Sequence, residues 1–137
     1  MEQALRDYIN AQRREAKEFS KQPDCWMGSM VSTLNTKYWN ERVPTGTLKE
    51  FNRIELEESA YYCIADAYSK SFARHFEFSR MTDEELQKEI DSACKLMQDE
   101  SEWADKQAKQ AIEEEAKLAN QLNIDVDTLK RWMKEAA

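Results

Sequence analysis

Scarcity of glycine and proline is the feature that most limits what this chain can fold into. Only two glycines and two prolines occur among its 137 residues. Tight β-hairpin turns and phosphate-binding loops depend on glycine and proline. The chain has too few of these residues for an all-β fold or a nucleotide-binding α/β fold. With 34% charged and 41% hydrophobic residues, the composition suits amphipathic helices instead. We therefore expect an all-α helical bundle of about five helices.

Hydrophobic periodicity locates the first helices. Apolar residues at spacings of three, four and seven predict a helix over about residues 2–22, which Pro23 ends because proline lacks a backbone donor. A second apolar stripe runs from Met27 to Tyr38 and predicts another helix. The loop at residues 43–46 follows it and is the clearest break in the chain.

Two capping boxes mark the later helices. Thr47 with Glu50 predicts the start of a third helix, which the polar residues 52–53 could break in two. Residues 75–78 alternate like a short extended linker. Thr82 with Glu85 then predicts the start of a long fourth helix.

The fourth helix carries the net charge of the chain. Residues 82–115 contain twelve acidic and four basic side chains, against a net charge of −7 for the whole protein. Apolar content falls between residues 98 and 110, so this stretch has little to bury. We expect a helical core domain over residues 1–97 and a helical extension over residues 98–137, with one compact domain as the alternative.

The carboxyl-terminal residues have the spacing of a helix-turn-helix motif. Such a motif needs a small residue in its first helix, a residue that tolerates positive φ at the turn, and buried aliphatic residues on either side. Ala119, Asn123, Ile124 and Leu129 meet these requirements in order, and Trp132 is predicted to close the small core.

The residues that would contact DNA fit a helix-turn-helix motif less well than the residues that pack its two helices together. The candidate DNA-binding residues are Thr128, Lys130, Arg131 and Lys134, which could meet phosphates or base edges. Asp125 and Asp127 lie at the amino-terminal end of the same helix, where carboxylates repel phosphate. Asp127 is equally well explained as the N-cap of that helix.

The sequence contains no catalytic constellation. His75 is the only histidine, and no cysteine or carboxylate stands at a ligand-like spacing from it. Cys25, Cys63 and Cys94 are odd in number and far apart, which excludes a disulfide framework. We interpret them as small buried or half-buried apolar residues. We expect no enzyme activity, no metal ion and no cofactor.

Charge and hydropathy indicate the environment and the kind of partner. The net negative charge opposes non-specific adhesion to nucleic acid or anionic lipid, so a charged partner is expected to be basic. No apolar run approaches the roughly 18 residues of a membrane span, and we expect a cytoplasmic protein without membrane contact.

Adjacent aromatic residues suggest further contacts. The members of the pairs Tyr38–Trp39 and Tyr61–Tyr62 point about 100° apart on a helix, so one member of each pair should lie nearer solvent. Trp39 and Tyr62 are predicted to be those members and to be available to a partner.

The second half of the chain resembles small accessory proteins of tailed bacteriophages. The resemblance rests on residues 64–68 (IADAY), residues 75–86 (HFEFSRMTDEEL) and residues 128–132 (TLKRW), and it spans about residues 60–137. Those proteins join a tyrosine-containing helix to an aromatic-Ser-x-Met turn and an acidic helix. The chain departs from them at residues 71–74, where many relatives have a glycine-rich turn that contains arginine.

Small, acidic, helical phage proteins frequently act without chemistry, by blocking the nucleic-acid groove of a host protein. The resemblance thus implies an inhibitor of a host nucleic-acid-handling or defence protein, of the anti-CRISPR or anti-restriction type, in the host cytoplasm. The predicted partner-binding residues are Asp91, Asp99, Glu100, Glu102, Asp105, Glu113, Glu114, Glu115, Trp39 and Tyr62. The alternative is a helix-turn-helix transcriptional regulator, forming a homodimer through the long helix. A structural or assembly factor is a third reading.

Overall fold

The computed structural model describes residues 1–137 and consists of helices and connecting loops, with no β-strand. The elements are α1 (Gln3–Ser20), α2 (Thr36–Arg42), α3 (Leu48–Ala67), α4 (Lys70–Ala73), a 3-10 turn (Phe78–Arg80), α5 (Asp83–Gln121) and α6 (Val126–Ala136). The predicted all-α class is confirmed. The chain divides into two compact units, Met1–Ile90 and Asp91–Ala137, so the division falls inside α5, seven residues before the boundary expected from the sequence.

The core of the first unit lies where α1, α2 and the start of α3 meet. Leu5 and Ile9, one turn apart on α1, are completely buried with Val43, Trp39 and Phe51. The Phe51 ring lies 6.1 Å from the Trp39 ring, centroid to centroid. Burial of each such side chain stabilises the fold by about 1.5–3 kcal/mol, so this cluster contributes substantially to the stability of the unit.

The predicted second helix is wrong over its first half. Residues 25–35 have no regular helix, and α2 begins only at Thr36. Side chains satisfy the backbone of this segment in place of helical hydrogen bonds. Arg13 donates to the carbonyl of Met30, and the Met27 amide donates to Ser20 Oγ at 3.0 Å. The apolar residues of the segment have helical spacing without a helix.

The amino terminus of α3 is capped by two acceptors. Thr47 Oγ1 accepts from the Glu50 amide at 3.1 Å, as the capping box predicts. The Glu50 carboxylate accepts instead from the Thr45 amide, so only half of the box forms. A Glu2 oxygen accepts from the Leu48 amide at 2.9 Å and ties the start of the chain to this helix. The helix then continues without the break that residues 52–53 suggested.

Arg53 connects α3 to the segment that precedes α5. Its guanidinium donates to the carbonyls of Phe78, at 3.0 Å, and Met81, and it pairs with Asp83 at 2.6 Å. The predicted extended linker at residues 75–78 is a loop that enters the 3-10 turn. Five donors on one planar group explain how a single side chain fixes this connection.

Helix α5 is a single helix of 39 residues, about 58 Å long. Thr82 Oγ1 accepts from the Glu85 amide at 3.1 Å, which confirms the predicted start. Leu86 and Ala93 are buried, whereas from Gln98 to Leu118 every side chain is exposed except that of Glu115. No helix of the protein combines the length and the apolarity needed to cross a bilayer.

Candidate partner-binding surface

The middle of α5 is exposed around its whole circumference. From Gln98 to Leu118 every side chain is exposed except that of Glu115, which is half-buried. Alanine, glutamine, glutamate and lysine dominate this stretch, and these residues favour a helix without tertiary packing. Side-chain hydrogen bonds one turn apart add local support, for example from Gln98 to Glu102 at 2.9 Å. The stretch is therefore a preformed surface with no role in the core.

Acidic residues outnumber basic residues on this exposed stretch. It contains seven acidic and three basic side chains. Residues 99–105, which we call the acidic segment, contain four carboxylates and no cation. Trp103 lies within that segment and is 66% exposed. Asp99 and Glu100 stand one turn before Trp103 and therefore flank its ring.

The other predicted acidic residues have different surroundings. Asp91, Glu113 and Glu114 are exposed, and the triplet as a whole points in three directions around the helix. Glu115 is half-buried and lies 3.8 Å from the Lys130 ammonium. The predicted acidic residues thus all lie on α5, but on different sides of the helix. They are most closely spaced in the acidic segment.

The prediction that Trp39 is available to a partner is wrong. Trp39 is only 3% exposed, and its indole N–H donates to the Ser32 carbonyl at 3.0 Å. The Tyr38 ring lies edge-on to it and is the outer member of the pair. Tyr62 is 62% exposed, as predicted, and rests against Tyr61. In the short helix α2, the Trp39 indole faces Phe51 in the core. Trp39 is therefore buried, and the smaller Tyr38 ring lies outside it.

The turn between α5 and α6 is a Schellman motif. Asn123 has a φ of 54°, its amide donates to the Asn120 carbonyl, and the Ile124 amide donates to the Ala119 carbonyl at 3.0 Å. Ala119 and Leu129 are buried. Asn123 is confirmed as the turn residue, and Ala119 and Leu129 are confirmed as packing residues, whereas Ile124, which was also predicted to be buried, is half-buried.

Two details of this predicted motif are wrong. Trp132 is 48% exposed and does not close the small core, because two helices offer too little surface to enclose an indole. The N-cap of α6 is Asp125 and not Asp127, since the Asp125 carboxylate accepts from the Thr128 amide at 2.6 Å. That hydrogen bond, with help from the Arg131 charge, lowers the pKa of Asp125.

The candidate DNA-binding residues have mixed surroundings. Lys130, Arg131 and Lys134 are exposed on α6, whereas Thr128 is half-buried and its amide is engaged by Asp125. Lys130 is paired with Glu115. The ionised carboxylate of Asp125 stands at the helix end that would approach a duplex.

The side chains that could bind a metal ion do not cluster in this structure. No three His, Cys, Asp or Glu side chains converge as metal ligands. Cys25 and Cys63 are half-buried, whereas Cys94 is exposed, contrary to the prediction. A shallow cleft of about 760 Å³ lies beside Thr47, Arg53 and Asp83. Arg53, one of the charged residues that line this cleft, is engaged by Asp83, Glu57 and two carbonyls.

Sequence reasoning did not single out Trp103 as an exposed aromatic residue. The available signal was a single large aromatic residue within a polar helical stretch that has nothing to pack against. No protein-family model, curated protein or solved structure matches this chain. Its function is therefore argued from the geometry and charge of this surface.

Proposed function

We propose that this protein is a non-catalytic inhibitor of the phage type, which acts in the host cytoplasm. It binds a basic surface on a host nucleic-acid-handling or defence protein through α5. The single observation that carries this proposal is the stretch Gln98–Leu118, whose side chains are all exposed except that of Glu115, and which holds an excess of carboxylates and an exposed tryptophan.

Physical chemistry favours such a helix as a binding element. A preformed helix loses little conformational entropy on binding, which preserves affinity. Carboxylates complement a groove whose cations normally meet phosphates, and they speed the encounter with it. Tryptophan is enriched among the residues that contribute most to protein–protein affinity. A stoichiometric blocker needs these properties and no catalytic group.

Charge reversal in the acidic segment tests the proposal. Glu100→Lys combined with Glu102→Lys places two cations against a basic surface, and we expect partner affinity to fall at least about 100-fold, since like charges at an interface cost several kcal/mol. The matched control is Glu15→Lys with Glu18→Lys, which makes the same charge change at exposed positions of α1. The control should bind as the wild type does.

The assay is affinity capture from a lysate of the bacterial host, with and without nuclease, followed by titration of the purified captured protein. We expect one protein that is retained at about one equivalent after nuclease treatment, eluted by salt, and lost with the acidic-segment variant only. Equal loss with the α1 control refutes a specific role for the acidic segment. Recovery of DNA alone refutes the inhibitor.

A helix-turn-helix DNA-binding regulator is the second candidate. The Schellman turn at Asn123 and the exposed cations Lys130, Arg131 and Lys134 favour it. Its test is fluorescence anisotropy with duplex DNA, in which Lys130→Ala with Arg131→Ala should abolish binding. Absence of binding by the wild type at low salt would exclude this role, because phosphate contacts are strongest there.

A further inference from the structure

The second compact unit, Asp91–Ala137, has almost no core of its own. Its buried side chains are Ala93, Ala119 and Leu129, and two of these are alanines. Lys130, next to Leu129, lies 3.8 Å from Glu115, so α6 turns back along the face of α5 that contains Glu115 and Ala119. Small units with so little buried surface usually depend on a disulfide, a metal ion or oligomerisation. The end of the chain therefore needs more packing than its own residues provide.

Large apolar side chains extend this contact on both helices without being covered. On α6, Trp132 and Met133 follow Leu129 by three and four residues, so they continue its face of the helix. On the α5 side, Leu122 follows Ala119 by three residues, Leu118 precedes Leu122 by four, and Ile112 precedes Ala119 by two turns. The exposed fractions of these five side chains lie between 41% and 67%. We call them the hairpin face: Ile112, Leu118, Leu122, Trp132 and Met133.

We propose that two copies of this chain pair through the hairpin face and form a symmetric dimer. The ends of the two α5 helices and the two α6 helices then make a four-helix arrangement, in which each copy covers the apolar side chains of the other. The acidic segment is not part of the hairpin face, so this inference does not depend on the proposed function. It also differs from the dimer expected of a regulator, which uses the long helix alone.

The exposed apolar area matches what a stable dimer needs. Apolar side chains of this size have roughly 200 Å² of surface each, so the five together expose roughly 500 Å² in one copy. Roughly 60% of the area of a protein interface is apolar, so 500 Å² of apolar surface corresponds to about 800 Å² per copy. That is the standard size of a specific protein–protein interface.

The charges around the hairpin face favour a second copy over a strongly charged partner. Both signs occur among the charged side chains one turn from a member of the face, which are Lys109, Lys130, Glu114, Glu115 and Glu135. A nucleic acid or a uniformly basic groove would meet like charges at this border, whereas a second copy supplies cations for the glutamates and carboxylates for the lysines. A partner that stabilises the fold must also be present wherever the chain is, and the chain itself meets that condition.

The direct test is analytical ultracentrifugation of the purified full chain between about 1 and about 200 µM, because dimerisation depends on concentration. We expect the mass to rise reversibly to twice the 16.2 kDa of one chain and to stop there, since a symmetric pair closes on itself. A mass of one chain at every concentration would overturn the proposal. A mass that keeps rising beyond two chains would overturn it as well.

Two tryptophans provide a matched pair of variants. Trp132 is 48% exposed and belongs to the hairpin face, whereas Trp26 is 81% exposed and lies in the first unit. We expect Trp132→Lys to raise the dissociation constant of the dimer at least about 100-fold, because a symmetric interface contains the buried charge twice. Trp26→Lys should change it less than about threefold. An effect of Trp132→Lys is not expected from a dimer that uses α5 alone.

Two aliphatic residues provide a second pair and do not involve α6. Ile112 is 67% exposed on the hairpin face, and Leu34 is 85% exposed in the first unit. Ile112→Lys should weaken the dimer at least about 30-fold and Leu34→Lys less than about threefold, with circular dichroism showing unchanged helix content for both. If exposed apolar area alone caused association, Trp26 and Leu34 would matter more than Trp132 and Ile112. Equal effects within both pairs would therefore refute pairing through the hairpin face.

Discussion

Trp39 makes a quantitative prediction about the core. Trp39→Phe removes the indole N–H that donates to the Ser32 carbonyl at 3.0 Å. That carbonyl still accepts from the Asn35 amide, so loss of the indole hydrogen bond costs about 0.5–1.5 kcal/mol. The smaller ring also leaves roughly 40 Å³ unfilled beside Phe51, which costs about 1 kcal/mol. The free energy of unfolding should therefore fall by about 1.5–2.5 kcal/mol, a sizeable part of the 5–15 kcal/mol typical of a domain.

The assay is urea unfolding followed by circular dichroism at 222 nm, with Trp103→Phe as the control. Because Trp103 is 66% exposed and lies outside the core, its substitution should change the unfolding free energy by less than about 0.5 kcal/mol. A change below about 0.5 kcal/mol for Trp39→Phe, or equal losses for the two variants, would refute the assignment of Trp39 to the core.

Three further predictions concern the scaffold. Arg53→Gln should lower the unfolding free energy by about 1–3 kcal/mol, because the Met81 carbonyl loses the guanidinium donor and the Phe78 carbonyl keeps only the Met81 amide; an unchanged urea midpoint would contradict this. Arg42 lowers the pKa of Glu58, so the stabilisation from Glu58 is present above its unfolded pKa of about 4.3 and is lost on acidification. Between about pH 5 and pH 3 the wild type should lose up to about 1 kcal/mol more stability than Glu58→Gln, since the pair is partly exposed; parallel pH profiles would disprove it. Asn123→Ala should destabilise α6 by about 1 kcal/mol relative to Asn123→Gly, measured by amide hydrogen exchange, because positive φ strains alanine; equal protection would argue against the turn geometry.

Sequence periodicity located the helices that have a clear amphipathic stripe or a cap. Helices α1, α3 and α5 begin close to their predicted starts, since Thr47 and Thr82 cap their helices locally. It failed at residues 25–35, where apolar residues have helical spacing by coincidence. The hydrogen bonds that hold this segment come from Arg13 and Ser20 on α1, and such long-range partners are not visible in a local pattern.

The candidate surface could be predicted in part. Its helix, its charge and its lack of burial follow from composition, because nothing between residues 98 and 110 could form a core. The choice between Trp39 and Tyr38 could not be made, since a seven-residue helix has too few turns to reveal which side is buried. Composition does not decide whether the long helix continues past residue 112, and the structure shows that it runs without interruption to Gln121.

Competition with nucleic acid tests the central claim most directly. Labelled nucleic acid is bound to the purified partner, and this protein is then added in increasing amounts while fluorescence anisotropy reports the bound fraction. We predict complete displacement near one equivalent by the wild type and none by Glu100→Lys with Glu102→Lys. A ternary complex in which the nucleic acid stays bound, or equal displacement by the charge-reversed variant, would contradict the account.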